Sequence, residues 1–219
     1  MVKKMNIIKE KWEKGKERNL RFWKGKLPAK AKSFNFSFPL HEYFGPMIGD
    51  KKKVSIVDIG SGVSSTTGST WKGVEVDLHP CDIWADEYAK FYDLHKIKQH
   101  IEIEKQNMEA LTYKDESFDI VHCANALDHC VDPFLALREM YRVCKPRGWI
   151  YLRHTPNEGE RHRYGMQHQW NIQQEGSDCF IWNYKEKFHL SKCVGGFTTE
   201  KKIELLGEPV TIVSKLHRI

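Results

Sequence analysis

The chain has 219 residues, 40% of them hydrophobic and 12% aromatic, and a formal net charge of +6. That is enough apolar material for one domain with a core, and it excludes a disordered chain. There is no run of about 18 apolar residues, so no membrane span is expected. Residues 1–26 lack the apolar stretch and cleavage site of a secretory signal, so a cytoplasmic location is expected.

The charge is unevenly spread. Residues 1–53 hold 15 Lys and Arg against 5 Asp and Glu, and the remainder holds 20 against 24. A basic N-terminal segment beside a mildly acidic body suits either an anionic partner or a solvated helix face. The six cysteines show no C-x-x-C spacing, which points to buried thiols rather than a disulfide framework. The eleven histidines include no H-E-x-x-H, so no metal site is expected.

The first element is a basic helix over residues 7–26, with Ile7, Ile8, Trp12, Leu20, Phe22 and Trp23 on a rough apolar stripe and Pro28 as its stop. Residues 34–46 are too aromatic for a free linker and are expected to pack across the mouth of the domain behind them; residues 1–50 thus form a helix and cap, and 51–219 the main domain. Residues 54–59 read as a buried parallel strand ending in a glycine-rich turn. Strands follow near 74–82, 101–105, 118–124 and 149–153, with a helix over 85–94. A second helix starts at Asp132, a natural N-cap, with Pro133 at its first position, and Lys145–Gly148 stops it. Residues 154–179 have no clear period and are expected to be an irregular acceptor-site insertion. Residues 200–206 and 210–216 flank Gly207-Glu208-Pro209 as an antiparallel hairpin. The order predicts an α/β fold, doubly wound and Rossmann-like. Its expected form is a seven-stranded, mostly parallel sheet with the hairpin at the C-terminus and a helix at the N-terminus.

The turn Asp58-Ile59-Gly60-Ser61-Gly62 follows the first strand, where glycines let a ligand approach the backbone. A dinucleotide loop would have a third glycine where Ser65 stands. With MEALTYKDESFDIVHC and LREMYRVCKPRGWIYL, this turn resembles the class I SAM-dependent methyltransferases of the type 11 group, over about Val54 to Leu152. Val63, Ser64 and Arg147 depart from the usual glycines. The resemblance implies S-adenosylmethionine (SAM) as cofactor. It implies that Asp58, Gly60, Ser61, Gly62 and Asn125 meet the methionine half, and that Asn107, Met108 and Glu109 meet the adenine. An acid ending the second strand would take the ribose diol; Asp82, followed by Ile83 against the adenine, is preferred to Asp77 because D-I-W-A-D-E-Y matches a family subset.

The segment Asn125-Ala126-Leu127-Asp128-His129, with His168-Gln169-Trp170-Asn171, resembles a branch found among bacterial surface-glycan (capsule) biosynthesis proteins. That branch implies O-methylation of a sugar or nucleotide-linked sugar. A sugar hydroxyl needs a base, so His129, His154 and His168 are the catalytic candidates, with Asp128 as orienting group or alternative base. Gln169, Trp170 and Asn171 are candidates to stack on and hydrogen-bond the sugar. A phosphate or phosphoramidate acceptor would need no base. The basic N-terminus keeps RNA methylation as an alternative, but A-N-A-L-D replaces the N-P-P-Y type of nucleic-acid enzymes, so a nucleic acid partner is not expected. A non-catalytic SAM-binding domain is a further alternative, and pairing with a second copy stays open.

Overall fold

The computed structural model describes residues 2–31, 38–99, 101–165, 167–175, 178–193, 197–204 and 211–218. The expected α/β fold is present. A seven-stranded sheet carries β1 (Lys53–Ile59), β2 (Glu75–Asp82), β3 (Glu104–Lys105), β4 (Phe118–Ala124), β5 (Cys144–His154), β9 (Phe197–Glu204) and β10 (Thr211–Arg218). Their order is β3-β2-β1-β4-β5-β10-β9. The pairings among β1 to β5 are parallel, and β10 runs antiparallel to both β5 and β9. The order reverses at β1 and β4, and that crevice is where open α/β sheets bind ligands. The tip of the C-terminal hairpin, Gly207-Glu208-Pro209, lies outside the described residues.

The two sheet faces are sorted by strand alternation. Val57, Ile59, Val121, Cys123, Ile150 and Leu152 pack on one face with Ala136, Leu137 and Met140 of the helix α4 (Pro133–Val143). Asp132 caps that helix as expected, its Oδ1 accepting the amides of Phe134 at 2.9 Å and Leu135 at 3.2 Å. A cap of this kind contributes about 1 kcal/mol. Ile56, Ile120, Tyr151 and Val213 face the other way, against Leu40, Phe44, Met47 and Ile48. The last two lie in the single turn α2 (Gly45–Ile48).

Four expectations change. The expected cap segment falls partly outside the described residues, at 34–37. Its described part lies on a sheet face rather than across the mouth, with the Tyr43 ring stacked on Tyr151 at 4.5 Å. The first helix, α1 (Val2–Ala31), runs through Pro28. Leu27 is fully buried in a cluster with Tyr88 and Tyr92, and that packing outweighs one lost backbone bond near the helix end. Backbone helix covers Ile7 and Ile8, whose side chains lie outside the described residues. The third strand shrinks to two residues.

The fourth change is the insertion. Residues 154–179 hold the turn α5 (Glu158–Arg161) and the beginning of an antiparallel sheet. That sheet consists of β6 (Asn171–Glu175), β7 (Asp178–Trp182) and β8 (Lys187–His189), followed by α6 (Leu190–Cys193). Its residues Trp170, Ile172, Cys179, Ile181 and Leu190 join the core beside α4. Among the described residues, five cysteines are buried thiols outside any disulfide, and no helix is long and apolar enough to cross a membrane.

Candidate active site

A cavity of about 280 Å³ opens at the carboxyl ends of β1, β2 and β4. Its floor is the turn after β1. Gly60 and Gly62 have φ of +71° and +68°, which favours glycine, and a Cβ on Gly60 would stand 2.4 Å from Ala126 Cβ. The amides of Gly60 and Ser61 donate to Cys81 O at 2.9 and 3.1 Å, which fastens the turn to β2.

Asp82 ends β2 and lines the cavity. Its Oδ2 accepts the Gly62 amide at 3.1 Å and its Oδ1 the Trp84 amide at 3.0 Å. Burial raises its pKa to about 6, against the opposing pull of those two amides. Asp77 is half exposed, lies 3.2 Å from His79 Nε2 and is absent from the cavity wall. The α3 helix (Ala85–His95) begins just beyond, with Trp84 and Tyr88 in the wall.

Asn107, Met108 and Glu109 form the next part of the wall, with Gln106 before them. Asn107 Oδ1 accepts the Glu109 amide at 3.0 Å, which curls the segment. Glu109 Oε1 accepts the Val131 amide at 2.7 Å, and burial raises the Glu109 pKa. Asn125 closes β4 at φ +48°, a conformation that asparagine tolerates. Its Oδ1 accepts the Thr155 amide at 2.8 Å, joining the ends of β4 and β5.

The roof is α1. Trp12, Glu13, Asn19 and Trp23 all line the cavity. The Trp12 ring centroid is 5.3 Å from that of Trp84, Lys16 pairs with Glu87 at 3.0 Å, and Lys11 Nζ donates to Tyr164 O at 3.0 Å. The roof is therefore tied both to α3 and to the insertion.

At the acceptor end, His129 lines the wall and belongs to a cluster. His168 Nδ1 lies 2.7 Å from Asp128 Oδ2 and 3.2 Å from His129 Nε2, which is 3.5 Å from the same carboxylate oxygen. His162 stacks on His168 with centroids 4.0 Å apart, and its Nε2 is 3.3 Å from Glu158. Burial opposes the Asp128 charge, but His129 and His168 outweigh it and hold the carboxyl at about 2. Burial lowers the His129 pKa although Asp128 pulls the other way.

Eight of the ten expected cofactor residues line the cavity: Gly60, Gly62, Asp82, Ile83, Asn107, Met108, Glu109 and Asn125. Ser61 and Asp58 do not. The Asp58 carboxylate is turned inward, 2.7 Å from His122 Nδ1 and accepting Ser65 Oγ–H at 2.6 Å. Of the catalytic candidates, Asp128, His129 and His168 are brought together, and His154 is not. It lies among Leu127, Leu152, Ile172 and Ile212, and burial lowers its pKa to about 4.

The expected sugar-binding trio is also corrected. Gln169, Trp170 and Asn171 are all buried and spent on the fold. Trp170 Nε1 donates to Cys130 O at 3.0 Å, Gln169 Nε2 to Tyr164 O at 2.9 Å, and Asn171 Nδ2 to Tyr164 Oη at 2.9 Å. The roof residues carry no site signal in sequence, because a helix stripe does not say which surface it covers.

Comparison with known proteins shows what this cleft resembles. Residues 57–152 match the family model of a methyltransferase domain. The ubiquinone biosynthesis O-methyltransferase of Pseudomonas putida (strain W619) is 28% identical over 108 residues, covering 46% of this chain and 43% of that protein. The sterol 24-C-methyltransferase erg6 of Aspergillus fumigatus is 23% identical over 145 residues, covering 62% and 38%. The chain thus spans less than half the length of these curated relatives. A solved SAM-dependent methyltransferase from Aquifex aeolicus shares the fold at a TM-score of 0.50 and 14% identity, over 88% of this chain and 98% of that one. These comparisons support a SAM-dependent methyltransferase, with S-adenosylmethionine as its cofactor.

The cleft fits that cofactor. Gly60 leaves its floor bare where a side chain would strike Ala126, and the Asp82 carboxylate keeps lone pairs beyond the two amides it accepts. Apolar Ile83 and Met108 and polar Gln106 and Asn107 supply a face and an edge for a purine.

Proposed function

We propose that this chain is a SAM-dependent O-methyltransferase acting on a polar, carbohydrate-like acceptor, such as a nucleotide-linked sugar used for a surface glycan. The observation that carries the reading is His129. It stands in the wall of the cofactor cleft while hydrogen-bonding distance joins it to His168 and, through His168, to Asp128.

In this reading Asp82 takes the ribose hydroxyls, Asn107 and the Met108 backbone the adenine edge, and Gly60, Gly62 and Asn125 the methionine end. Bound SAM supplies a sulfonium methyl open to in-line displacement. The protein's share is then positioning, which lowers the barrier by holding acceptor oxygen and methyl in line. His129 takes the hydroxyl proton as the oxygen attacks, and Asp128 stabilises the charge that the histidine pair acquires. General bases of this kind typically contribute ~10²–10⁴-fold. The tryptophans of α1 would shield the cofactor from water, while His129 lines the same cavity where an acceptor could be met.

The test begins with calorimetric titration of the full chain with S-adenosylhomocysteine, with NAD as control. One-site binding of the former alone is expected. An acceptor screen starting with nucleotide-linked sugars then follows S-adenosylhomocysteine formation. Turnover with ubiquinol-like phenols and none with any sugar would replace the acceptor class, and binding of NAD alone would overturn the reading.

A further inference from the structure

We propose that Asp128, His129 and His168 form a binding site for one divalent transition-metal ion at the acceptor end of the cleft. The inference rests on the functional reading only for the ion's role, not for its binding.

The geometry is that of a coordination face. Asp128 Oδ2, His129 Nε2 and His168 Nδ1 stand 2.7, 3.2 and 3.5 Å from one another, and all three aim inward. Metal–nitrogen and metal–oxygen bonds of about 2.1 Å place neighbouring donors roughly 3.0–3.4 Å apart. Two imidazoles and one carboxylate leave further positions open, the arrangement that suits manganese, iron, cobalt or zinc rather than the all-oxygen shells of calcium and magnesium.

The donors are also held in place by bonds that owe nothing to an ion. The Asp128 carbonyl accepts the Gln169 amide at 3.1 Å, and Trp170 Nε1 donates to Cys130 O at 3.0 Å. These two bonds tie residues 128 and 130 to the two residues that follow His168. A site fixed in this way spends little entropy on closing around an ion. Beyond it, Glu158, His162 and His168 form a second group of close donor atoms, so His168 stands between two sets of ligand-type side chains. Asp128 is buried while both histidine rings remain partly accessible, which leaves an entry path.

The location gives the ion a task. His129 is in the cavity wall, so an ion on its Nε2 would adjoin the cleft. There it would bind and acidify an acceptor hydroxyl, with the released proton passing to solvent. With the ion bound the histidine pair would act as ligand, and the role of base would belong to the metal-free protein.

The deciding experiment uses full-length protein stripped with chelator and titrated separately with Co(II), Mn(II) and Zn(II). Co(II) is followed by its visible absorption as well as by heat. One equivalent of Co(II) with visible ligand-field bands is expected, displaced by Zn(II). Asp128→Asn and His168→Ala are each expected to weaken it at least tenfold while S-adenosylhomocysteine still binds, which shows that the variants are folded. His162→Ala is expected to keep the stoichiometry. No binding of any of the three ions, or binding unchanged in both triad variants, overturns the site and leaves the histidines as bases. Metal binding without S-adenosylhomocysteine binding would instead sink the functional reading and keep the site.

Discussion

The indole of Trp23 lies over Gly62, its Cζ2 3.3 Å from the point that a Cβ on that glycine would occupy. One residue belongs to the N-terminal helix and the other to the turn after β1, so floor and roof of the cleft touch. Gly62→Ala adds about 1–2 kcal/mol of backbone strain at φ +68° and pushes on the roof. We expect weaker binding of S-adenosylhomocysteine by calorimetry and faster proteolysis of α1. Deleting residues 1–26 is expected to weaken it further and to damage acceptor use. Full affinity and activity in the truncation would make the helix irrelevant to the site.

Asp82 predicts two pH effects of opposite sign. Its folded pKa of about 6 lies above the ordinary 3.8, so the folded state holds a proton more tightly between those values. Ionised Asp82 therefore costs stability above that window, and its share of the cost is relieved as pH falls through 6 toward 3.8. Cofactor binding runs the other way, because the ribose diol needs the carboxylate as acceptor. Affinity for S-adenosylhomocysteine is expected to fall below pH 6, by up to about tenfold per unit. Asp82→Asn should weaken binding and flatten this profile, while Asp77→Asn should leave both unchanged. The reverse order would move the ribose site to Asp77.

The His168–Asp128 contact predicts a split between binding and turnover. His168→Ala should lower the rate by about 10²-fold or more, with S-adenosylhomocysteine affinity within about threefold of the parent. An unchanged rate would remove the cluster from the chemistry.

Strands β1, β2, β4 and β5, α4 with its cap, and the cofactor turn are legible because each is a local pattern: an apolar β-branched run, an Asp-Pro start, two glycines after a strand. The branch-like motif H-Q-W-N was legible too, but its meaning was not. Trp170 and Asn171 looked like surface ligands, yet their partners, Cys130 O and Tyr164 Oη, are set by tertiary packing that no spacing reveals. The triad has the same origin. Residues 128 and 129 meet 168 only because the insertion folds as a sheet against α4, so a search for short metal motifs passes over it. The aromatic segment near Tyr43 has the composition of a cap, but its rings pack on a sheet face against Tyr151.

His154 is where the sequence reading and the structure part most sharply, and it gives the last prediction. Neither ring nitrogen has a hydrogen-bond partner among the described residues, and the ring is buried among Leu127, Leu152, Ile172 and Ile212. Burial holds its folded pKa at about 4 against an ordinary 6.5, so the folded state binds fewer protons between those values. Its neutral form supports the fold above 6.5, and that support drains as pH falls toward 4, on the order of 3 kcal/mol in all. His154→Leu removes two unpaired polar atoms and keeps the apolar contacts, so it should be neutral or stabilising by about 1–2 kcal/mol at pH 7. It should also shrink the loss of thermal midpoint between pH 7 and 5. Methyl transfer should be unchanged in that variant, and a large drop in rate with the fold intact would return His154 to the list of catalytic residues.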